Sequence, residues 1–381
     1  MEKNIETLCV HGGDHRFPDG RDSISMPIYQ TATFAHPDLG HSPDRFYYTR
    51  LTNPTRNILE ETVSALEGAA DTVAFASGMA AISAVFELFS PGDRILCSAD
   101  LYGGTVLLFD LVCKKSGLIL ESLDTTDEAS LTAAMDESVK AIYIETPSNP
   151  MMNVTDIGLC AALAKKYGAL LIVDNTFLSP YFQNPIALGA DLVVHSGTKY
   201  LGGHNDTISG FVCAANEALA ERVRKIAVTM GSVLAPFDSW LMIRGIKTLA
   251  VWMERAQENA KAIAAFLLTH PKVTKVHYVG LPDHPGYGVN AKQSRGSGAM
   301  LSFAVDSHET ALQVLDRVKV ITFAESLGGP ESLITLPVTQ THADVPEAER
   351  LKLGITDSLL RLSVGLENAQ DLIADLQQAL G

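Results

Sequence analysis

The chain has no Cys-x-x-Cys pair; its five cysteines, Cys9, Cys97, Cys113, Cys160 and Cys213, are scattered through 381 residues. Isolated thiols exclude a disulfide framework and fit a reducing compartment. No apolar run reaches the 18 or so residues that a membrane-spanning helix needs. The segment MEKNIETLCV has no apolar core of a secretory signal, so a cytoplasmic location is expected. Basic charge is also scarce. The formal net charge of −15 argues against a partner bound through a phosphate backbone, although a local pocket can still attract a small anion. No fixed-period repeat, no G-x-x-x-x-G-K-[ST] and no G-x-G-x-x-G after a strand occurs, which removes the P-loop and the dinucleotide fingerprint.

What is present is an ordinary globular composition, 46% hydrophobic and 19% charged, long enough for two or three domains. Residues 1–56 are irregular and read as an arm that lies against something else. RNILEETVSALEGA then reads as a helix with Leu59, Val63 and Leu66 on one face. TVAFAS, DRILCS, GLILESL, KAIYIET, ALLIVDN and ADLVVHS are strand candidates, separated by helical stretches such as GMAAISAVFELF and TDIGLCAALAKKYG. Short apolar strands spaced by helices predict a mostly parallel sheet covered on both faces. This α/β domain is expected over 57–245. GIKTLAVWMERAQENAKAIAAFLLTH predicts one long helix leading into a smaller α+β domain over 246–381, with strands in KVTKVHYV and GAMLSFAV. Residues 280–298 read as a loop.

In such a sheet, ligands gather at the carboxyl ends of the strands. Three ends carry chemistry: IVDNT with Asp174, FASGM with Ser77, Gly78 and Met79, and VVHSGTK with Ser196, Thr198 and Lys199. A lysine nucleophile must lose its proton near neutral pH, which burial or a neighbouring positive charge achieves. The flanking small residues let a ligand approach closely. A glycine opening a helix aims backbone N–H groups at an anion. A carboxylate ending a buried strand needs a cationic or hydrogen-bonding partner. Singly, each feature has a plainer reading: a strand-capping lysine, an ordinary turn, a helix N-cap. Together they match pyridoxal 5'-phosphate (PLP), which needs a lysine for a Schiff base, an acid for its pyridine nitrogen and an anion site. His11, His15, His195 and His204 fall on separate elements without metal-ligand spacing. Cys113 and Cys160 fall in predicted helices and read as packing residues.

The ordered motifs YYTRLTNPTR, FASGMAA, DLYGGT, IETPSNP, LLIVDNTF, HSGTKYLGGHND, FAESLGGPESL and LLRLSVG resemble the Cys/Met-metabolism family of PLP enzymes over almost the whole chain. The family includes cystathionine γ-synthase, cystathionine γ- and β-lyases and methionine γ-lyase. The resemblance implies the fold type I (aspartate aminotransferase) architecture and PLP as cofactor. It makes Lys199 the Schiff-base lysine and Asp174 the partner of the pyridine nitrogen. Tyr102 would stack on the ring and move protons, while Ser77, Gly78, Met79, Ser196 and Thr198 would hold the phosphate. Asn149 and Ser326 would lie near cofactor and substrate, and Arg361 would grip the substrate α-carboxylate. Tyr48 and Arg50 match a Tyr-x-Arg pair that reaches the neighbouring subunit's phosphate, so a dimer of dimers with shared sites is implied. Cystathionine-handling branches carry an arginine where this chain has Leu107. Methionine γ-lyases carry a cysteine in place of Gly104 and lack the acid at Glu325. The favoured expectation is a C–S γ-lyase with a compact or apolar thioether pocket. Cystathionine γ-synthase, O-acylhomoserine γ-replacement and cystathionine β-lyase remain open, with an aminotransferase and a non-catalytic PLP-binding paralogue behind them.

Overall fold

A computed structural model describes residues 3–13, 23–36, 38–40, 45–343 and 345–381; His15 lies outside them. Seven strands form the first sheet: β1 (Asp71–Phe75), β2 (Arg94–Ser98), β3 (Ile119–Leu123), β4 (Val139–Glu145), β5 (Leu170–Asp174), β6 (Leu192–Ser196) and β7 (Gly210–Ala214). Their order is β1-β7-β6-β5-β4-β2-β3. The pairs from β6 through β3 are parallel, while β7 runs antiparallel to both β1 and β6.

Alternation along these strands sends side chains to two buried layers. Ile142, Ile144, Leu171, Val173 and Val193 face helices Pro54–Glu67 and Ile157–Tyr167. Ile95, Tyr143, Ile172 and Val194 face helices Gly78–Phe86 and Glu217–Met230. Leu59 and Val63 are fully buried and Leu66 nearly so, each contributing roughly 1.5–3 kcal/mol of apolar burial. The helix that carries them starts at Pro54, with the Asn53 side chain accepting from Thr55 N, a favourable cap followed by proline. It ends at Gly68 with φ 73°.

A second sheet orders as β10-β11-β12-β9-β8, from β8 (Val273–His277), β9 (Met300–Val305), β10 (Thr322–Phe323), β11 (Leu333–Thr335) and β12 (Leu359–Ser363). The sequence reading missed β7, whose FVCA core follows a polar turn. The expected long helix over 245–270 is Leu249–Leu267, and a separate helix, Pro236–Ile246, precedes it. Thr248 separates them, its amide and hydroxyl both donating to Gly245 O. The segment 280–298 is not all loop, since Tyr287–Gln293 is helical. Helix Ile5–His11 of the arm packs on the chain's own helices Pro54–Glu67 and Leu249–Leu267. Among the described residues no helix is long and apolar enough to cross a membrane.

Candidate active site

The carboxyl ends of β4, β5 and β6 open into a cavity of ≈ 330 Å³. Lys199 sits just past β6, its amide donating to Ser196 O and its amine donating to Ser326 Oγ at 2.9 Å. Gly197 lets the chain turn here, because a Cβ would lie 2.3 Å from Ser209 Oγ and 2.4 Å from Phe211. Thr198 Oγ1 accepts from Ser209 N at 3.1 Å, which locks the turn to β7. The Lys199 amine is pulled down to about 8, first by burial and then by the Arg361 charge, against the opposing pull of Glu325.

Asp174 ends β5, and its Oδ1 accepts from Thr176 N at 3.0 Å and Thr176 Oγ1 at 2.6 Å. It caps no helix. Burial raises its pKa, and among the described residues no lysine or arginine forms an ion pair with it. Glu145 of β4 is its register partner, and burial, then the charge of Asp174, raise the Glu145 pKa. Glu145 Oε2 accepts from Tyr102 N at 2.9 Å, which fixes the tyrosine at the cavity edge with 43% of its surface exposed.

Opposite stands the first turn of helix Gly78–Phe86, where Ser77 Oγ accepts from Ala80 N. A Cβ on Gly78 would lie 2.9 Å from Ser196 Cβ, so only glycine brings this turn so close to the end of β6. From the second sheet, β12 supplies Arg361, which is buried. Its Nη1 donates to Asn149 Oδ1 at 3.0 Å, its Nη2 to Ser326 O at 2.9 Å, and its Nε has no partner among the described residues. Ser326 has φ 83°, a left-handed backbone rare for a non-glycine residue.

The cavity thus brings together Ser77, Gly78, Met79, Tyr102, Asn149, Asp174, Ser196, Thr198, Lys199, Glu325, Ser326 and Arg361. It does not include Tyr48, Arg50 or Leu107. Leu107 is 45% exposed on helix Gly103–Leu108. Arg50 Nη1 donates to Val228 O at 2.7 Å, and its guanidinium lies 5.5 Å from the Tyr48 ring. The sequence reading missed Glu145, Thr176 and Thr341 in the lining. Glu145 was findable by the rule that found Asp174, a carboxylate ending an apolar strand. His195 points away from the cavity, its Nε2 2.8 Å from Glu67 Oε2 beneath the sheet; His204 packs on Trp252.

A half-buried amine with lowered proton affinity, a buried carboxylate lacking a cation and a glycine-tight helix start converge on one cavity. That donor set fits PLP: an aldehyde for the amine, a pyridinium for the acid, a phosphate for the turn. The model for the Cys/Met metabolism PLP-dependent enzymes matches residues 6–381. The chain belongs to this family. It is a PLP-dependent enzyme of carbon–sulfur chemistry. It is 46% identical over 375 residues to cystathionine gamma-lyase of Bacillus subtilis (strain 168), covering 98% of each chain. It is 47% identical over 377 residues to cystathionine beta-lyase of Lactococcus lactis subsp. cremoris (strain MG1363), covering 99% of each. Cystathionine gamma synthase from Xanthomonas oryzae pv. oryzae, solved in complex with cystathionine, superposes with TM-score 0.97 at 41% identity, covering 100% of this chain and 98% of that one. The enzyme therefore has the fold type I architecture, as its mixed α/β sheet implies.

Proposed function

We propose that the enzyme cleaves a sulfur-containing amino acid by γ-elimination, consuming one water and releasing a thiol, ammonia and a 2-oxo acid. The observation that carries this reading is the Lys199 amine, lowered to about 8 and hydrogen-bonded to Ser326 in the cavity that also holds Arg361. PLP, when bound, supplies an electron sink for charge developing at Cα. Lys199 would be the residue that holds it covalently, and its free amine would take the substrate Cα proton as general base. Asp174 keeps the pyridine nitrogen protonated. The backbone of Gly78 and Met79, with Ser77, Ser196 and Thr198, holds the phosphate.

Tyr102, at the cavity edge, would face the ring and share with Lys199 the movement of the Cβ proton and the proton delivered to the departing sulfur. Arg361 grips the α-carboxylate with its planar fork, steadied by Asn149 and by Ser326 O. Glu325 and Ser326 border the substrate. Leu107 offers no charge to a distal carboxylate, which favours compact or apolar thioethers. We place Tyr48 and Arg50 in a neighbouring subunit's site, within a dimer of dimers in the cytoplasm. The working division is an arm over 1–56, a cofactor domain over 57–245 and a C-terminal domain over 246–381.

γ-Replacement is the second reading, favoured because relatives of similar identity carry the names of lyases and of a synthase. A panel of methionine, cystathionine, cysteine, homocysteine and acylated homoserines separates the readings, with products identified by mass. The expected result is 2-oxo acid and thiol from a γ-substituted thioether, lost in Lys199→Ala. A new thioether formed only with added thiol supports replacement. Amino exchange that depends on a keto acid, or a yellow protein that turns over nothing, overturns both.

A further inference from the structure

Behind the active site lies a second, polar cavity of ≈ 300 Å³, lined by Asp100, Asp124, Thr125, Ser148, Asn153 and Lys352 among others. Glu145 borders both cavities. Asp100 is buried, with 5% of its surface exposed. It stands in the connection between β2 and Tyr102. A buried carboxylate so placed calls for partners; its Oδ2 finds them in one loop, while its Oδ1 has none among the described residues. Asp100 Oδ2 accepts from Ser148 Oγ and, at 3.2 Å, from Asn153 Nδ2. Ser148 and Asn153 also close that loop on themselves. Ser148 N donates to Asn153 O at 2.9 Å, and Asn153 N donates to Ser148 Oγ at 3.0 Å. Between them sits Asn149, whose Oδ1 receives Arg361 Nη1. On the other side of Asp100, Tyr102 N donates to Glu145 Oε2.

We infer that Asp100 is a positioning residue: it ties the segment carrying Tyr102 to the loop carrying Asn149, and so holds the ring-facing phenol and the carboxylate-gripping Arg361 in fixed relation. This rests on the reading of Tyr102 and Arg361 given above. Asp100 does not line the active-site cavity, so it touches neither substrate nor cofactor and acts only through these partners. Two hydrogen bonds to one charged oxygen are enough to matter. Bonds to a charged group contribute more than bonds between neutral ones, and a misplacement of an ångström or less at a binding fork is costly.

The test uses holoenzymes and glycine, an amino acid with no side chain to eliminate, whose binding is read from the cofactor absorbance. Asp100→Ala is expected to weaken glycine binding by about tenfold or more while the cofactor stays bound. In turnover, its loss is expected mainly in KM. Asp100→Asn keeps an oxygen that accepts both bonds and turns its amide NH2 toward the polar cavity, so it is expected to stay within about threefold of wild type. Ser148→Ala removes one of the two bonds with less change in volume, and is expected to weaken glycine binding by about threefold to tenfold; it carries the test where Asp100→Ala fails to fold. A purely structural role lowers the melting temperature and leaves the glycine Kd unchanged. Folded, cofactor-loaded Asp100→Ala or Ser148→Ala with a wild-type glycine Kd overturns the inference. So does Asp100→Asn as impaired as Asp100→Ala. Arg361→Lys is the separate control: wild-type glycine affinity there refutes the Arg361 reading itself, and the inference falls with it.

Discussion

A lysine ammonium loses its proton when its surroundings penalise the charge more than they reward it. At Lys199 burial is the larger cause, and the Arg361 guanidinium adds to it. Glu325 pulls the other way, which gives a residue-scale prediction with a definite sign. The working form of Lys199 as a base is the free amine, present above its pKa of about 8 and lost as pH falls. Glu325→Gln removes a negative charge that favours the ammonium, so the pKa drops and more free amine exists near neutrality. The acidic limb of the kcat–pH profile is expected to move to lower pH in Glu325→Gln, whatever happens to the plateau rate. A limb that moves to higher pH, or stays in place, refutes the coupling between Glu325 and Lys199. Of the residue chemistry, the groups ending strands were legible: Asp174 and Lys199 follow apolar runs whose direction gives their side chains nowhere to go but the carboxyl edge. Glu145 obeys the same rule at the end of KAIYIET, where its hydrogen bond to Tyr102 N comes from a segment 43 residues away.

At the scale of elements, the apolar strands β1 to β6 were readable because each is a short apolar run between turns. β7 was not: GFVCA is as buried as its neighbours, but it follows β6 through a polar loop with no helix between them, outside the strand–helix alternation that marks the others. Its first residue nevertheless sets the geometry of the anion turn. Gly210 pairs with Phe75 on one side and Ser196 on the other. A Cβ there would lie 2.2 Å from Ser77 O and 2.6 Å from Ser77 C, so any side chain must push the Ser77–Gly78 turn away. Gly210→Ala is expected to cost about 1–3 kcal/mol as an overpacked site and to speed loss of cofactor on dialysis. The checks are the melting temperature of the apoenzyme and the residual cofactor absorbance over time. Retention of cofactor at the wild-type rate refutes the idea that β7 braces this turn. The start of the long helix was legible only to within a turn, because GIKT leads into LAVWMERAQENAKAIAAFL with no visible break in the helical period. Near the end of helix Pro236–Ile246, Gly245 presses so close to Gly202 O that a Cβ would lie 2.2 Å away.

For the whole molecule, the cavity draws on both sheets: β4 to β6 bring the acid and the lysine, and β12 brings the arginine. Tyr48 and Arg50 stand outside it. Tyr48 is 43% exposed, and among the described residues Arg50 forms no ion pair. An exposed arginine beside an exposed tyrosine, on a segment that the sequence marks as an arm, is what a phosphate in another subunit would call for. If the site is shared, Lys199→Ala and Arg50→Ala are each defective in a different half of it. Co-expressed with two tags, the two chains form hybrid dimers in which one site carries both defects and the other carries neither. Random pairing makes about half of the dimers hybrids, with half of their sites intact, so about a quarter of wild-type activity is expected in the mixture. In a dimer of dimers the doubly tagged tetramers also include paired parental dimers, so that fraction should reach about three-tenths of wild-type activity. The double variant Lys199→Ala/Arg50→Ala mixed with itself should stay inactive. A doubly tagged fraction with no more activity than its parents would mean that Arg50 serves its own subunit, and the arm would then need another reason to lie exposed.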